Sequence, residues 1–196
     1  MKLQPVMRCL MFILVMTSCN FVSTAAGAQI YKIDLPSSSI IFDANSTLHP
    51  IKGKAGDFTG EFTLQTENQQ SVMQGDVSVR IESLASGNKG MDRNMYAMFQ
   101  SKEYPQAQCR VESMMFTVGG VNAPVSGHLK AVLTIREVSQ PFECGITVQP
   151  SENTVIVTGK TTVSLKSLRL KPPTLLGIIK VKDPVTINFI VLLKRA

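Results

Sequence analysis

Apolar and polar side chains alternate with a period of two along most of this chain, and that alternation excludes most folds. Ile40, Phe42 and Ala44 share one face, opposite Ile41, Asp43 and Asn45. Phe58, Phe62 and Leu64 alternate with Thr59, Glu61 and Thr63, and Val77, Val79 and Ile81 with Ser78, Arg80 and Glu82. Leu129, Ala131, Leu133 and Ile135 oppose His128, Lys130, Val132 and Thr134, and Phe142, Cys144, Ile146 and Val148 follow in the same manner. Val155, Val157, Val163 and Leu165 repeat the pattern, and Val185, Ile187, Phe189, Val191 and Leu193 complete it. Successive side chains of a strand point to opposite faces, so each segment has one face to bury.

Turn signals separate these runs at Pro36-Ser37, Gly119-Gly120, Ser139-Gln140-Pro141, Pro150-Ser151 and Asp183-Pro184. Residues 107–118, 125–136 and 140–149 read as successive antiparallel strands. Parity switches near Ser113-Met114, which predicts a bulge or strong curvature there. About eight strands with one apolar face predict an all-β, antiparallel barrel, with a two-sheet sandwich as the main competitor. An eight-stranded barrel has an interior just wide enough for side chains or one small ligand. The small inward residues Ala44, Gly60, Ala131 and Gly159 point to unfilled volume, although Gly60 and Gly159 also suit strand bends.

One segment breaks the pattern. Between Ser83 and Pro105 a Gly/Asn turn leads into a short amphipathic helix, about residues 90–100, with Asn88 or Asp92 as its cap. Met91, Met95, Met98 and Phe99 recur at helical spacing, and methionine adapts to irregular apolar shapes. A single helix in a loop suits the mouth of a barrel. Ordinary packing is the plainer account of the stripe. Copper ligation by these methionines is disfavoured because no Cys or His lies close in sequence.

The N-terminus bears on the compartment. Lys2 and Arg8 precede the apolar run Cys9–Met16, no further charge occurs before Lys32, and Ala26-Gly27-Ala28 offers small residues for cleavage. Residues 1–28 are expected to be a signal peptide and 29–196 the exported, periplasmic domain. Polar residues between Thr17 and Gly27 dilute the run below what a membrane span requires. The alternative is a lipoprotein anchored through Cys19, because Met16-Thr17-Ser18-Cys19 is similar to a lipobox.

Taking Lys2 and Arg8 from 20 Lys and Arg leaves a mature net charge of +4 against 14 acids. Cations gather late: Lys160 to the end holds eight against Asp183 alone. That run is either a solvated outer face or a surface for peripheral membrane contact. Nucleic acid is not an expected partner, since the chain has no Trp, three Tyr and no interleaved aromatic-basic platform.

Cys109 and Cys144 remain after processing, in strands with another between them, at roughly 9 Å across two strand spacings. That spacing argues against a disulfide and for two buried thiols. Enzymatic signatures are lacking. His49 and His128 are the only histidines, no C-x-x-C, H-x-x-x-H or G-x-S-x-G occurs, and Glu61 and Glu82 fall on outer faces. No catalytic residue, metal or cofactor is expected.

Several short stretches resemble one family. Thr47-Leu48-His49, then Gly53 and Phe58-Thr59-Gly60, are similar to the opening of a YceI-like domain. Ser83-Leu84, Gly87, Met91-Asp92 and Tyr104-Pro105 resemble its S-L-x-T-G, R-D-x-H-M and Y-P segments. Gly127-x-Leu129, Thr134-Ile135 and Val138 resemble its G-x-L-T-I-x-G-V stretch, and Leu176–Asp183 its closing segment. The resemblance spans residues 30 to 194 and implies a lipocalin-like barrel whose characterised members bind polyisoprenoids or related amphiphiles. Met91 and Asn94 replace the usual Arg and His, and Arg136-Glu137 precede Val138 where Gly is usual. The first two make the mouth more apolar.

The expected function is an exported carrier or sequestering protein for a long apolar ligand such as an isoprenoid, quinone or lipid. The expected cavity lining is Phe42, Phe62, Ile81, Met95, Phe99, Leu133, Phe142, Ile146, Val163, Ile187 and Phe189. The alternative is an envelope interaction or stress-protective protein whose barrel is filled by its own side chains. Neither the ligand nor an oligomeric state follows from these residues.

Overall fold

The computed structural model describes residues 28–47, 50–117, 123–171 and 181–196. The signal-peptide and Cys19 readings, His49, the Gly119-Gly120 turn and most of the family's closing segment lie outside these residues. The alternating runs form β1 (Gln29–Ile33), β2 (Ser39–Ala44), β3 (Ile51–Ala55), β4 (Phe58–Glu67), β5 (Gln70–Arg80) and β6 (Leu84–Ala85). After helix α1 (Lys89–Phe99) come β7 (Gln106–Thr117), β8 (Val125–Ile135), β9 (Val138–Pro150), β10 (Thr154–Val163) and β11 (Val185–Arg195).

Every pairing is antiparallel, and β1 pairs with both β4 and β11, so the sheet closes. Three strands are interrupted. β1 and β2 lie along different stretches of β11, separated by a single 3-10 turn at Leu35–Ser37 where Pro36 cannot donate to a ladder. β3 continues into β4 past Gly56-Asp57, and β5 into β6 past a second 3-10 turn at Ile81–Ser83. Joined this way, eleven segments form an eight-stranded closed barrel, and the sandwich alternative is excluded.

The predicted parity switch is a bulge. Pairing of β7 with β8 slips between Val111 and Ser113, and that with β5 slips between Met73 and Gly75. The Gln74 side-chain amide donates to the Glu112 carbonyl at 2.8 Å, which satisfies a group the slipped ladder leaves over. One expected turn is misplaced. Ser139, Gln140 and Pro141 lie within β9, opposite Thr134, Leu133 and Val132, and the reversal occurs at Arg136-Glu137 with Arg136 left-handed at φ 58°. Among the described residues, Val138–Gly145 pairs with β8 alone, and a one-sided edge is where a strand tolerates proline.

The barrel interior divides into two levels. At one level Tyr31, Phe62, Met73, Met114, Phe116, Val148 and Leu193 form a solid core, and Met73, Val148 and Leu193 have no exposed surface. The small inward residues do not leave room here. Phe189 stands opposite Gly159 in the ladder, and a Cβ built on Gly159 would lie 2.4 Å from the Phe189 ring. Gly60 is likewise closed over by Ile33, Val77 and the Asp76 carbonyl.

Cys109 and Cys144 are both free, partly buried against this core. Cys109 pairs with Leu133 and Cys144 with Leu129, so they are offset by four residues along β8 as well as separated by that strand. Burial, then the Asp76 charge, pushes the Cys109 thiol up to about 12.

The β1–β11 closure carries a surface ion pair. Lys194 Nζ lies 2.8 Å from Asp34 Oδ1, while the Asp34 amide donates to the Leu192 carbonyl. The hydrogen bond from Lys194, then that from Ser37, lowers the Asp34 pKa. A lowered folded-state pKa stabilises above the ordinary carboxyl range, and the contribution disappears as pH falls through it. Asp34→Asn should therefore lower the melting temperature at pH 7 and leave it unchanged near pH 2; an equal loss at both values would show the charge is irrelevant.

Candidate ligand-binding cavity

At the second level the same inward faces leave a cavity of about 340 Å³. The walls come from the segments that flank α1. Ile40, Phe42 and Ala44 face in from β2, Ile51 and Ala55 from β3, Val79 and Ile81 from the end of β5, and Leu133 and Ile135 from β8. Val163, Leu165 and Leu168 close another side, with Val185 and Ile187 from β11. Among the described residues the lining includes no charged side chain, and its polar residues are Ser86, Asn88 and Asn94.

Helix α1 covers the opening. Asn88 is its N-cap, its side-chain oxygen accepting from the Gly90 and Met91 amides at 2.9 and 3.1 Å. Asp92, the other cap candidate, instead accepts from the Ser86 amide and hydroxyl at 2.8 and 2.6 Å. Gln100 ends the helix in the left-handed conformation at φ 54°. The helix is tied to β6 by the Tyr96 hydroxyl, which donates to the Leu84 carbonyl at 2.7 Å. Burial, then Asp92 and Glu82, raises the Tyr96 pKa, so the phenol remains a donor. Met91, Met95, Met98 and Phe99 thus face the cavity along one stripe, whereas the polar groups beside them are mostly committed. Asn88→Ala should cost about 1 kcal/mol. Amide exchange should accelerate in the first turns of α1, and exchange unchanged there would remove the cap from the account.

The segment after β10 closes another side of the cavity, in one cluster with Phe99, Met95 and Met98 of α1. The Asp183 carboxylate accepts from the Ser164 hydroxyl and the Leu165 amide, both at 2.7 Å. The Leu170 amide donates to the Leu165 carbonyl at 2.8 Å, holding Leu165, Leu168 and Leu170 buried in one turn.

Seven of the eleven residues expected to line a cavity do so in the structure: Phe42, Ile81, Met95, Phe99, Leu133, Val163 and Ile187. The other four, Phe62, Phe142, Ile146 and Phe189, face inward but belong to the solid core at the other level. Missed were Ile40, Val79, Ala107, Ile135 and the Leu165–Leu168 turn. The alternation already put Ile40, Val79 and Ile135 inward, and only their height in the barrel was lacking. Met91 and Asn94, the two departures from the family pattern, both border the cavity.

A family comparison decides the relationship: the YceI-like domain matches residues 31–192. The chain belongs to the YceI-like family. Solved structures agree on the fold of this YceI-like chain. It is similar to BcnA of Burkholderia cenocepacia, at 18% identity and TM-score 0.65, covering 82% of this chain and 98% of that one. A polyisoprenoid binding domain from Saccharophagus degradans, implicated in plant cell wall breakdown, is 14% identical with TM-score 0.68, covering 85% and 98%. The Campylobacter jejuni YceI protein is 14% identical with TM-score 0.53, covering 74% and 85%. No curated protein matches. Among the described residues of this YceI-like domain, no group of three or more His, Cys, Asp or Glu is placed to hold a metal ion, and no helix is long and apolar enough to cross a membrane.

Proposed function

We propose that this chain is an exported binding protein that carries or sequesters an apolar chain, an isoprenoid, quinone or lipid, in the hollow level of its barrel. One observation supports this above the rest: a 340 Å³ cavity, walled by apolar side chains and roofed by a methionine-faced helix, beside a core that is otherwise filled. Empty apolar volume costs stability at ~24 cal/mol per Å³, and a ligand offsets that cost. Burying each methylene contributes ~0.8 kcal/mol, so chain length and shape discriminate without many polar contacts. The cavity lies at the small end of the ~300–1,000 Å³ typical of ligand sites, so it takes the terminal part of a long chain and leaves the head at the mouth. The polyisoprenoid binding named for the Saccharophagus degradans domain fits this reading.

The alternative of a barrel filled by its own side chains describes the solid level only. Native mass spectrometry of the purified protein, followed by lipid extraction, tests the choice. An adduct whose extract contains an isoprenoid, quinone or other lipid is the expected result; protein that never carries or accepts an apolar molecule would sink the carrier reading. For export, β1 begins at Gln29, so cleavage after Ala28 leaves the barrel whole. The mass of the mature N-terminus then distinguishes Gln29 from a lipidated Cys19.

A further inference from the structure

Charge is distributed unevenly between the two levels of the barrel. Around the solid level four cations sit in ion pairs, Lys32 with Glu61, Arg110 with Asp76, Lys130 with Glu143 and Lys194 with Asp34, while Lys160 and Arg195 have none with a described residue. Around the cavity the balance differs. Lys54, Lys89, Arg93, Lys166, Arg169 and Lys182 are all exposed, and each neighbours a cavity-lining residue in sequence: Ala55, Asn88, Asn94, Leu165, Leu168 and Val181. None of the six has an ion pair with a described residue, and of the described acids at this level only Asp43 and Asp57 are in ion pairs. Asp43 pairs with Lys52 and Asp57 with Arg80, while Glu82, Asp92 and Asp183 accept hydroxyl or amide protons from Ser101, Ser86 and Ser164-Leu165.

We propose that this cationic collar docks the cavity end of the protein onto an anionic phospholipid bilayer. The inference rests on the carrier reading for its purpose, because an apolar ligand is exchanged where the mouth meets a lipid surface. The chemistry of the contact follows from the residues. Among the described residues, the two large apolar side chains left exposed, Ile30 and Ile190, belong to strands away from α1, so the described part of the collar offers no apolar wedge to insert. The contact is electrostatic and reversible, and it acts within a Debye length of the surface. The six cations belong to β3, α1, the turn after β10 and the approach to β11, segments that also carry cavity-lining residues, so the attraction turns the cavity end toward the bilayer.

The test is co-sedimentation with phosphatidylcholine vesicles, with and without phosphatidylglycerol, at low salt and in ~1 M NaCl, where the Debye length falls to ~3 Å. Binding should require phosphatidylglycerol and vanish in high salt. Replacing Lys166, Arg169 and Lys182 together by Gln should weaken it on the order of 100-fold, at ~1 kcal/mol for each charge. Replacing Lys130, Lys160 and Arg195 by Gln should leave it nearly unchanged. All versions share one N-terminus, so the differences between them report the collar alone. Binding that ignores phosphatidylglycerol, or an equal loss in both triple variants, overturns the proposal. Uptake of a fluorescent polyene in vesicle-free solution is measured in parallel, and the Lys166/Arg169/Lys182 variant should retain it. Failure of the wild type to take up that probe would remove the carrier reading while the vesicle comparison still decides whether the collar docks.

Discussion

Ala107→Phe should abolish most uptake of an apolar chain while leaving the barrel folded. Ala107 lies in β7 with its methyl group toward the cavity, paired with Val79 on one side and Ile135 on the other, and both of these also line it. A phenyl ring there has nowhere to go but the hollow, so it takes the place of ligand atoms. Displacing about four methylenes at ~0.8 kcal/mol each amounts to ~3 kcal/mol, on the order of a 100-fold loss in affinity. Stability should move the other way or little, because filling a void recovers contacts that its walls lacked. Titration with a fluorescent polyene and a thermal melt read the two quantities separately. A folded variant with undiminished uptake would put the ligand outside this cavity.

Leu193→Ala is expected to have the opposite signature. Leu193 has no exposed surface and sits where the barrel closes, opposite Ile33 in β1 and Val155 in β10. Truncating a fully enclosed leucine removes its transfer free energy and leaves a cavity, typically ~2–5 kcal/mol. For a domain of this size that lowers the melting temperature by roughly 2–4 °C per kcal/mol. Uptake measured well below the new melting temperature should persist. The same truncation at Met95, which already borders empty space, should cost much less, since few contacts are lost there. Equal destabilisation at the two sites would mean that the hollow level is packed as tightly as the solid one.

These two variants mark what was and was not legible in the residues. Period-two alternation identifies which side chains point inward, and Ile40, Phe42, Phe62, Ala107, Ile146 and Phe189 all do. It carries no information on height. Phe42 and Phe189 look alike in sequence, yet Phe42 pairs with Ile187 beside the cavity while Phe189 covers Gly159 in the core. Height depends on the stagger between strands far apart in the chain, which one sequence does not encode locally. Gly159 shows the same limit, because its missing side chain is replaced by a ring 30 residues away. Pro141 misled for a different reason: a proline is ordinarily a turn signal, and here it sits on a strand edge with no described neighbour. The helix was the most legible element, since the Asn88 cap and the methionine spacing are both local.

The division of the interior into a packed level and an empty one has a consequence for how such a protein is used. A carrier whose only core is its ligand must collapse or aggregate each time it lets the ligand go. Here Met73, Val148, Leu193 and their neighbours are complete without any guest. On the proposed carrier reading, delivery and refilling are therefore separated from folding, and a single molecule would cycle through many loads.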